Sequence, residues 1–184
     1  MPDFHRRLEE QIPRLRRYAR ALTRDASRAD DLVQDTLLRA LAKQQLWQEG
    51  TNLRAWLFTL MHNQHVNDVR RLHRDGGNID VTEMASVLVA NTDPTVSRQM
   101  RELERGLALL PFEQREAILL VGLEGMRYDE AAAVAGVPIG TVRSRLSRGR
   151  EALRRILDIE DEAAPVPAPM RAAQRHQSGL AEAA

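Results

Sequence analysis

The chain contains no cysteine. That absence excludes a disulfide framework and a Cys-ligated zinc site. Aromatic residues are scarce, at 4% against 43% hydrophobic residues overall. The remaining apolar content favours helices over strands, with Ala, Leu and Arg plentiful. No apolar run approaches the ~20 residues of a membrane span, and the charged start "MPDFHRRLEEQ" lacks a signal-peptide apolar core. No membrane insertion and a cytoplasmic location are therefore expected. No P-loop, Gly-rich dinucleotide turn or nucleophile elbow is present. His62 and His65 stand three apart but have no third ligand cluster, so polar or groove histidines are expected rather than a metal site. These gaps argue against an enzyme and against any cofactor.

What is present is uneven charge. The 184 residues sum to only +1. Residues 1–74 carry +5, residues 75–97 carry −4, residues 98–157 carry +3 and residues 158–184 carry −3. Two basic blocks are thus separated by an acidic segment and followed by an acidic tail.

Apolar spacing reads as helix in both blocks. Ala29, Leu32, Val33, Thr36, Leu37, Ala40 and Leu41 form one stripe, with Asp25 as its N-cap. Leu15, Tyr18, Ala19 and Leu22 mark a preceding helix with Pro13 near its start. A loop containing Gly50 leads to a longer helix from about Leu53 to Leu72. In the second block, Val96 to Leu110 is a helix ended by Pro111. Others cover about Glu113 to Leu123 and Arg127 to Ala135, and a last one starts near Pro138, its inward residues Val142, Leu146, Gly149, Leu153 and Ile156. The expected fold is all-α: two small helical domains, residues 1–73 and 96–157, joined by a flexible acidic linker at 74–95. The linker contains a short apolar run, "VLVA". An Ala/Pro-rich disordered tail is expected at 158–184.

The stretch from Arg143 to Arg155 holds six arginines and one acid. It follows a short helix, "YDEAAAVAG", and a glycine-containing turn, which is the helix-turn-helix arrangement. The second helix of that motif enters the DNA major groove. Arg143, Ser144, Arg145, Ser147 and Arg148 face outward near its start, whereas Arg150, Arg154 and Arg155 suit phosphates. In the first block, Asp31, Gln34, Asp35 and Leu38 fall off the buried stripe and form an acidic face around an exposed leucine, suited to a protein partner. Trp47, Arg54, Asn63, Asn67, Arg70 and Arg71 combine rings, amides and cations in a manner suited to unstacked single-stranded DNA. Trp56 shares the apolar stripe with Leu53, Leu57 and Leu60 and is expected in the core, whereas Trp47 suits either a surface role or, equally, anchoring of its loop.

The strings "ADDLVQDTLLRAL", "NLRAWLFTLMHNQHVND" and "LPFEQREAILLVGLEGMRYDEAAAVAGVPIGTVRSRLSRGREAL" resemble regions 2 and 4 of the extracytoplasmic-function sigma factors of bacterial RNA polymerase, over roughly residues 10–157. The resemblance implies a minimal two-domain sigma factor with core RNA polymerase and promoter DNA as partners. Asp31, Gln34, Asp35 and Leu38 would meet the polymerase clamp. Trp47, Arg54, Asn63, Asn67, Arg70 and Arg71 would meet the melted −10 element, and Thr141, Arg143, Ser144, Arg145, Ser147 and Arg148 the −35 duplex. Some relatives have an aromatic residue where this chain has Ser147, so their −35 preference does not carry over. The strings "RRYARALTRD" and "GTNLRAWLFTLMHN" resemble the alphaproteobacterial general-stress branch, which implies control by a small anti-sigma protein. The alternative is an autonomous helix-turn-helix regulator, for which no dimerisation segment is evident. A sigma mimic that titrates a regulator would be expected to lose its DNA-reading arginines and carry a receiver domain.

Overall fold

The structure, a computed structural model, describes residues 2–74 and 98–157. Among them all regular structure is helical. The first half contains α1 (Pro2–Thr23), α2 (Ala26–Ala42), a 3-10 turn (Gln44–Leu46) and α3 (Leu53–Arg74). The second contains α4 (Arg98–Leu109), α5 (Phe112–Ile118) running into a π-helical turn (Leu119–Leu123), α6 (Tyr128–Ala135) and α7 (Ile139–Ile156). Arg74, expected to open the linker, still belongs to α3, while the rest of the linker expected at 74–95, its "VLVA" run and the tail from 158 lie outside the described residues.

Local chemistry sets most of these boundaries. The Asp25 carboxylate accepts the Arg28 backbone N–H at 2.7 Å, capping α2 as expected. Arg24 takes φ 63° and reverses the chain between α1 and α2. The α2 stripe is buried at Ala29, Leu32, Val33, Thr36 and Ala40, and the Thr36 hydroxyl donates to the Leu32 carbonyl. Leu41, in the last turn, stays exposed. Helix α1 runs about three turns further back than its sequence stripe suggests and continues through Pro13. Phe4 and Leu8 anchor this extension in the core, and Pro13 itself faces solvent. Around Leu15, Tyr18, Leu57, Phe58 and Met61 the three helices close a core in which the Tyr18 and Phe58 rings meet edge-on at 4.8 Å.

In the second half, Gly136 ends α6 at φ 63°, a left-handed cap that only glycine adopts without strain. Pro138 then opens α7, which buries Val142, Leu146 and Gly149. Ile156, expected inward, is exposed in the last turn. Gly149 lets α7 lie directly on α5. A Cβ there would fall 3.0 Å from Ile118 Cδ1 and 3.2 Å from the Gln114 carbonyl oxygen.

The two expected helical halves are both present, and they pack against each other. Leu119, Leu120, Met126, Ala131, Ala132 and Val134 join the residues of α1 to α3 in one apolar core. The small side chains of α6 let it pack closely on α3. A stripe reading identifies each helix's buried face but not which partner covers it, and here α6 turns its alanines toward the first half.

Candidate nucleic-acid interface

Helix α7 presents Arg143, Ser144, Ser147 and Arg148 to solvent. Hydrogen bonds within the helix organise this face. The Ser144 hydroxyl donates to the Thr141 carbonyl at 2.9 Å, and Arg148 Nε donates to the Ser144 carbonyl at 3.3 Å. The Arg143 guanidinium lies over the Tyr128 ring, 5.7 Å from its centre. Arg150 and Arg154 extend the basic surface beside Tyr128 and Arg143. Thr141 is half-buried. Arg145 is half-buried too and turns toward the other half of the molecule, where it lines a groove.

The first-half candidates fall into three groups. Asn63, Asn67, Arg70 and Arg71 are exposed on α3. Trp47 is half-buried, 5.5 Å from the Phe4 ring and under the Arg7 guanidinium at 4.9 Å, so it fastens the 43–52 loop to α1. Arg54 is only partly exposed because oxygens of the second half engage it. Trp56 packs half-buried against the core. On α2, Asp31, Gln34 and Asp35 are exposed, and Leu38 is 58% exposed although it is apolar. Asp35 accepts a hydrogen bond from Gln64.

Sequence reasoning missed the charged seam between the halves. Glu124 is 0% exposed beside Arg14 and Arg17 of α1. Buried Arg115 donates to the Leu22 carbonyl at 3.1 Å and to the Leu110 carbonyl at 3.2 Å. Burial, then the nearby Arg24 charge, lowers its pKa to about 10. His62 Nδ1 lies 2.6 Å from Glu116, which is itself buried. Burial first, and Glu116 second, raises the Tyr18 phenol well above its ordinary range. None of these pairs has helical spacing, so no periodicity could reveal them. Above the seam lies a groove of about 950 Å³, lined by apolar Leu32, Val66, Val69 and Phe112 together with Asp31 and Arg145.

His65, stacked 5.2 Å from the Phe112 ring, has its pKa lowered from 6.5 to about 4, chiefly by burial and then by Arg115. Between those values the unfolded chain binds a proton there that the folded chain refuses. Stability contributed at His65 is therefore complete above pH 6.5 and falls as the pH drops toward 4. Urea unfolding is expected to show a loss of about 1–2 kcal/mol from this group between pH 7 and pH 5. His65→Asn should remove that part of the loss; an unchanged pH slope in the variant refutes the assignment.

A basic helix-turn-helix thus packs on a helical bundle that carries an exposed acidic and apolar strip on α2. Residues 8–62 match the family described as the Sigma2 domain of PhyR, and residues 100–153 match Sigma-70, region 4. The chain is 42% identical over 149 residues to an ECF RNA polymerase sigma factor, EcfG, of Rhodopseudomonas palustris, covering 81% of this chain and 82% of that protein. It is also similar to the sigma factor RpoE solved in complex with the anti-sigma factor NepR from Bartonella quintana. There the TM-score is 0.74 and the identity 36%, over 87% of this chain and 99% of that one. A complex of PhyR with NepR from Sphingomonas sp. Fr1, at 22% identity and a TM-score of 0.60, shares the fold. The chain belongs to the ECF sigma factor family of RNA polymerase. Its relatives are sigma factors, which are not enzymes. Among the described residues no helix is long and apolar enough to cross a membrane.

Proposed function

We propose that this chain works in the cytoplasm as a dissociable promoter-recognition subunit without catalytic groups of its own, and that its two halves read two promoter elements. Arg143, Ser144, Ser147 and Arg148 contact the −35 duplex, with Thr141 and Arg145 supporting the edge of that surface. Trp47, Arg54, Asn63, Asn67, Arg70 and Arg71 receive the melted −10 strand. Asp31, Gln34, Asp35 and Leu38 dock on the polymerase clamp. The observation that carries this reading is the solvent-facing arginine and serine surface at the start of α7, in a chain of this family. An anti-sigma protein such as the NepR in the Bartonella complex suits the groove between the halves, whose apolar floor and charged rim accept an amphipathic helix. The match of residues 8–62 to PhyR also suggests a titrating mimic, but the exposed arginines of α7 favour promoter reading.

Run-off transcription with core polymerase on a randomised promoter library tests the reading: a defined −35 and −10 pair should be enriched, and absence of any promoter-dependent product refutes it. Within that assay Arg148 and Arg154 should behave differently. Arg148→Ala is expected to change the preferred −35 bases at a cost of about 1–3 kcal/mol for the original site. Arg154→Ala should weaken all promoters alike and flatten the salt dependence by about one ion. Equal effects of the two would overturn the division between base and phosphate contacts.

A further inference from the structure

We propose that the second half closes over the first as a latch: Glu130 and the Glu124 backbone carbonyl occupy Arg54 at the −10 strand site, while the Glu124 carboxylate fastens the turn to α1 through Arg17 and Arg14; the inference rests on the assignment of Arg54 made above. Glu124 leaves the π-helical turn with its side chain buried between Arg17 and Arg14, at 2.8 and 3.7 Å. Its carbonyl oxygen accepts a hydrogen bond from Arg54 Nη1 at 3.0 Å. Glu130, in the first turn of α6, lies 3.9 Å from Arg54 Nη2 and accepts from Asn52 Nδ2 at 2.7 Å. The guanidinium of Arg54 and the amide at the end of the 43–52 loop are therefore both held by oxygens of the other half.

Those oxygens offer what a nucleic-acid strand offers: anionic and carbonyl acceptors for a fork of N–H donors. Latch and strand compete for the same cation. The masking is local, because Asn63, Asn67, Arg70 and Arg71 stay exposed. It is also exchangeable. The Arg54–Glu130 pair is long, at 3.9 Å, and partly exposed, so it contributes little and yields to a strand that brings many phosphates and stacking bases. In the closed chain Arg54 and Asn52 are available to a strand only in the open fraction, so the part of the affinity that they supply falls by that fraction. The −35 face of α7, by contrast, stays available in the closed form.

The lack of cysteine provides a clean test in the full chain. Ser27→Cys and Ala133→Cys, both at exposed positions, give two spin-label sites that report the separation of the halves. Glu130→Gln and the Glu124→Gln/Glu130→Gln pair are compared with Glu104→Gln, a one-charge change at an exposed site on α4. A single-stranded DNA of about twelve mixed nucleotides serves as probe. Opening is expected to lengthen the label distance and tighten probe binding roughly twofold for Glu130→Gln and roughly fivefold for the pair, with no change for Glu104→Gln. If the pair loses helicity, the surface substitution Glu130→Gln decides alone. An already long wild-type distance, an unmoved distance in Glu130→Gln, or an equal gain from Glu104→Gln overturns the latch. Arg54→Ala in holoenzyme transcription separates the two ideas: unimpaired promoter opening there refutes the strand assignment, whereas the label distances judge the latch itself.

Discussion

A Gly149→Leu chain is expected to lose on the order of 3 kcal/mol of stability and to fall roughly a hundredfold or more in −35-dependent transcription. The cause is the contact between α5 and α7. A Cβ at 149 would sit 3.0 Å from Ile118 Cδ1, and its 3.2 Å approach to Gln114 involves a backbone carbonyl that cannot rotate away. A leucine there needs α7 to lift from α5, which tilts the face carrying Arg143 and Arg148. Gly149→Ala gains about 1 kcal/mol of helix propensity and offsets part of the clash, so it should fall between wild type and leucine. Thermal unfolding and run-off transcription measure both quantities. If leucine at 149 leaves both unchanged, the close packing of the two helices is not what aims the reading surface.

The second large effect is expected at Leu38. It is 58% exposed on α2 among acidic neighbours, an arrangement that contributes nothing to the core. Leu38→Asp should therefore leave thermal stability within about 0.5 kcal/mol of wild type. In the proposed docking it is the apolar centre of the clamp contact, where truncating a central anchor costs about 2 kcal/mol or more. Affinity for core polymerase is expected to fall at least roughly thirtyfold, with binding to a −35 duplex unaltered. Fluorescence anisotropy against core enzyme and against duplex separates these outcomes. Undiminished core binding by Leu38→Asp would move the docking face elsewhere.

Much of this architecture could be read from particular residues. Asp25, Gly136 and Pro138 carry short-range chemistry that fixes helix ends, and the structure places ends at each of them. Val142, Leu146 and Gly149 follow helical spacing and are buried. The extension of α1 to Pro2 was missed because Pro13 suggests a helix start, while the pull on the earlier turns comes from Phe4 meeting Trp47, residues 43 positions apart. No acid stands three or four positions from Arg54, so helical spacing leaves it free for DNA; Glu124 and Glu130 reach it only after folding. Arg145 stood with the outward residues by composition, yet its angle around α7 sets it at the groove edge. Side chains obeying the 3.6-residue period were legible, and long-range polar pairs were not.

The π-helical turn at Leu119–Leu123 has a consequence for phase. The Glu124 amide bonds back to the Leu119 carbonyl, five residues away, so the ladder accommodates one residue more than an α-helix would. Each residue of a helix advances the direction of its side chains by about 100°. Removing that surplus residue would make the ladder regular while swinging Glu124 away from α1, together with everything that leaves the turn after it. One widened turn thus acts as the angular offset that lets a helix-turn-helix address the neighbouring bundle.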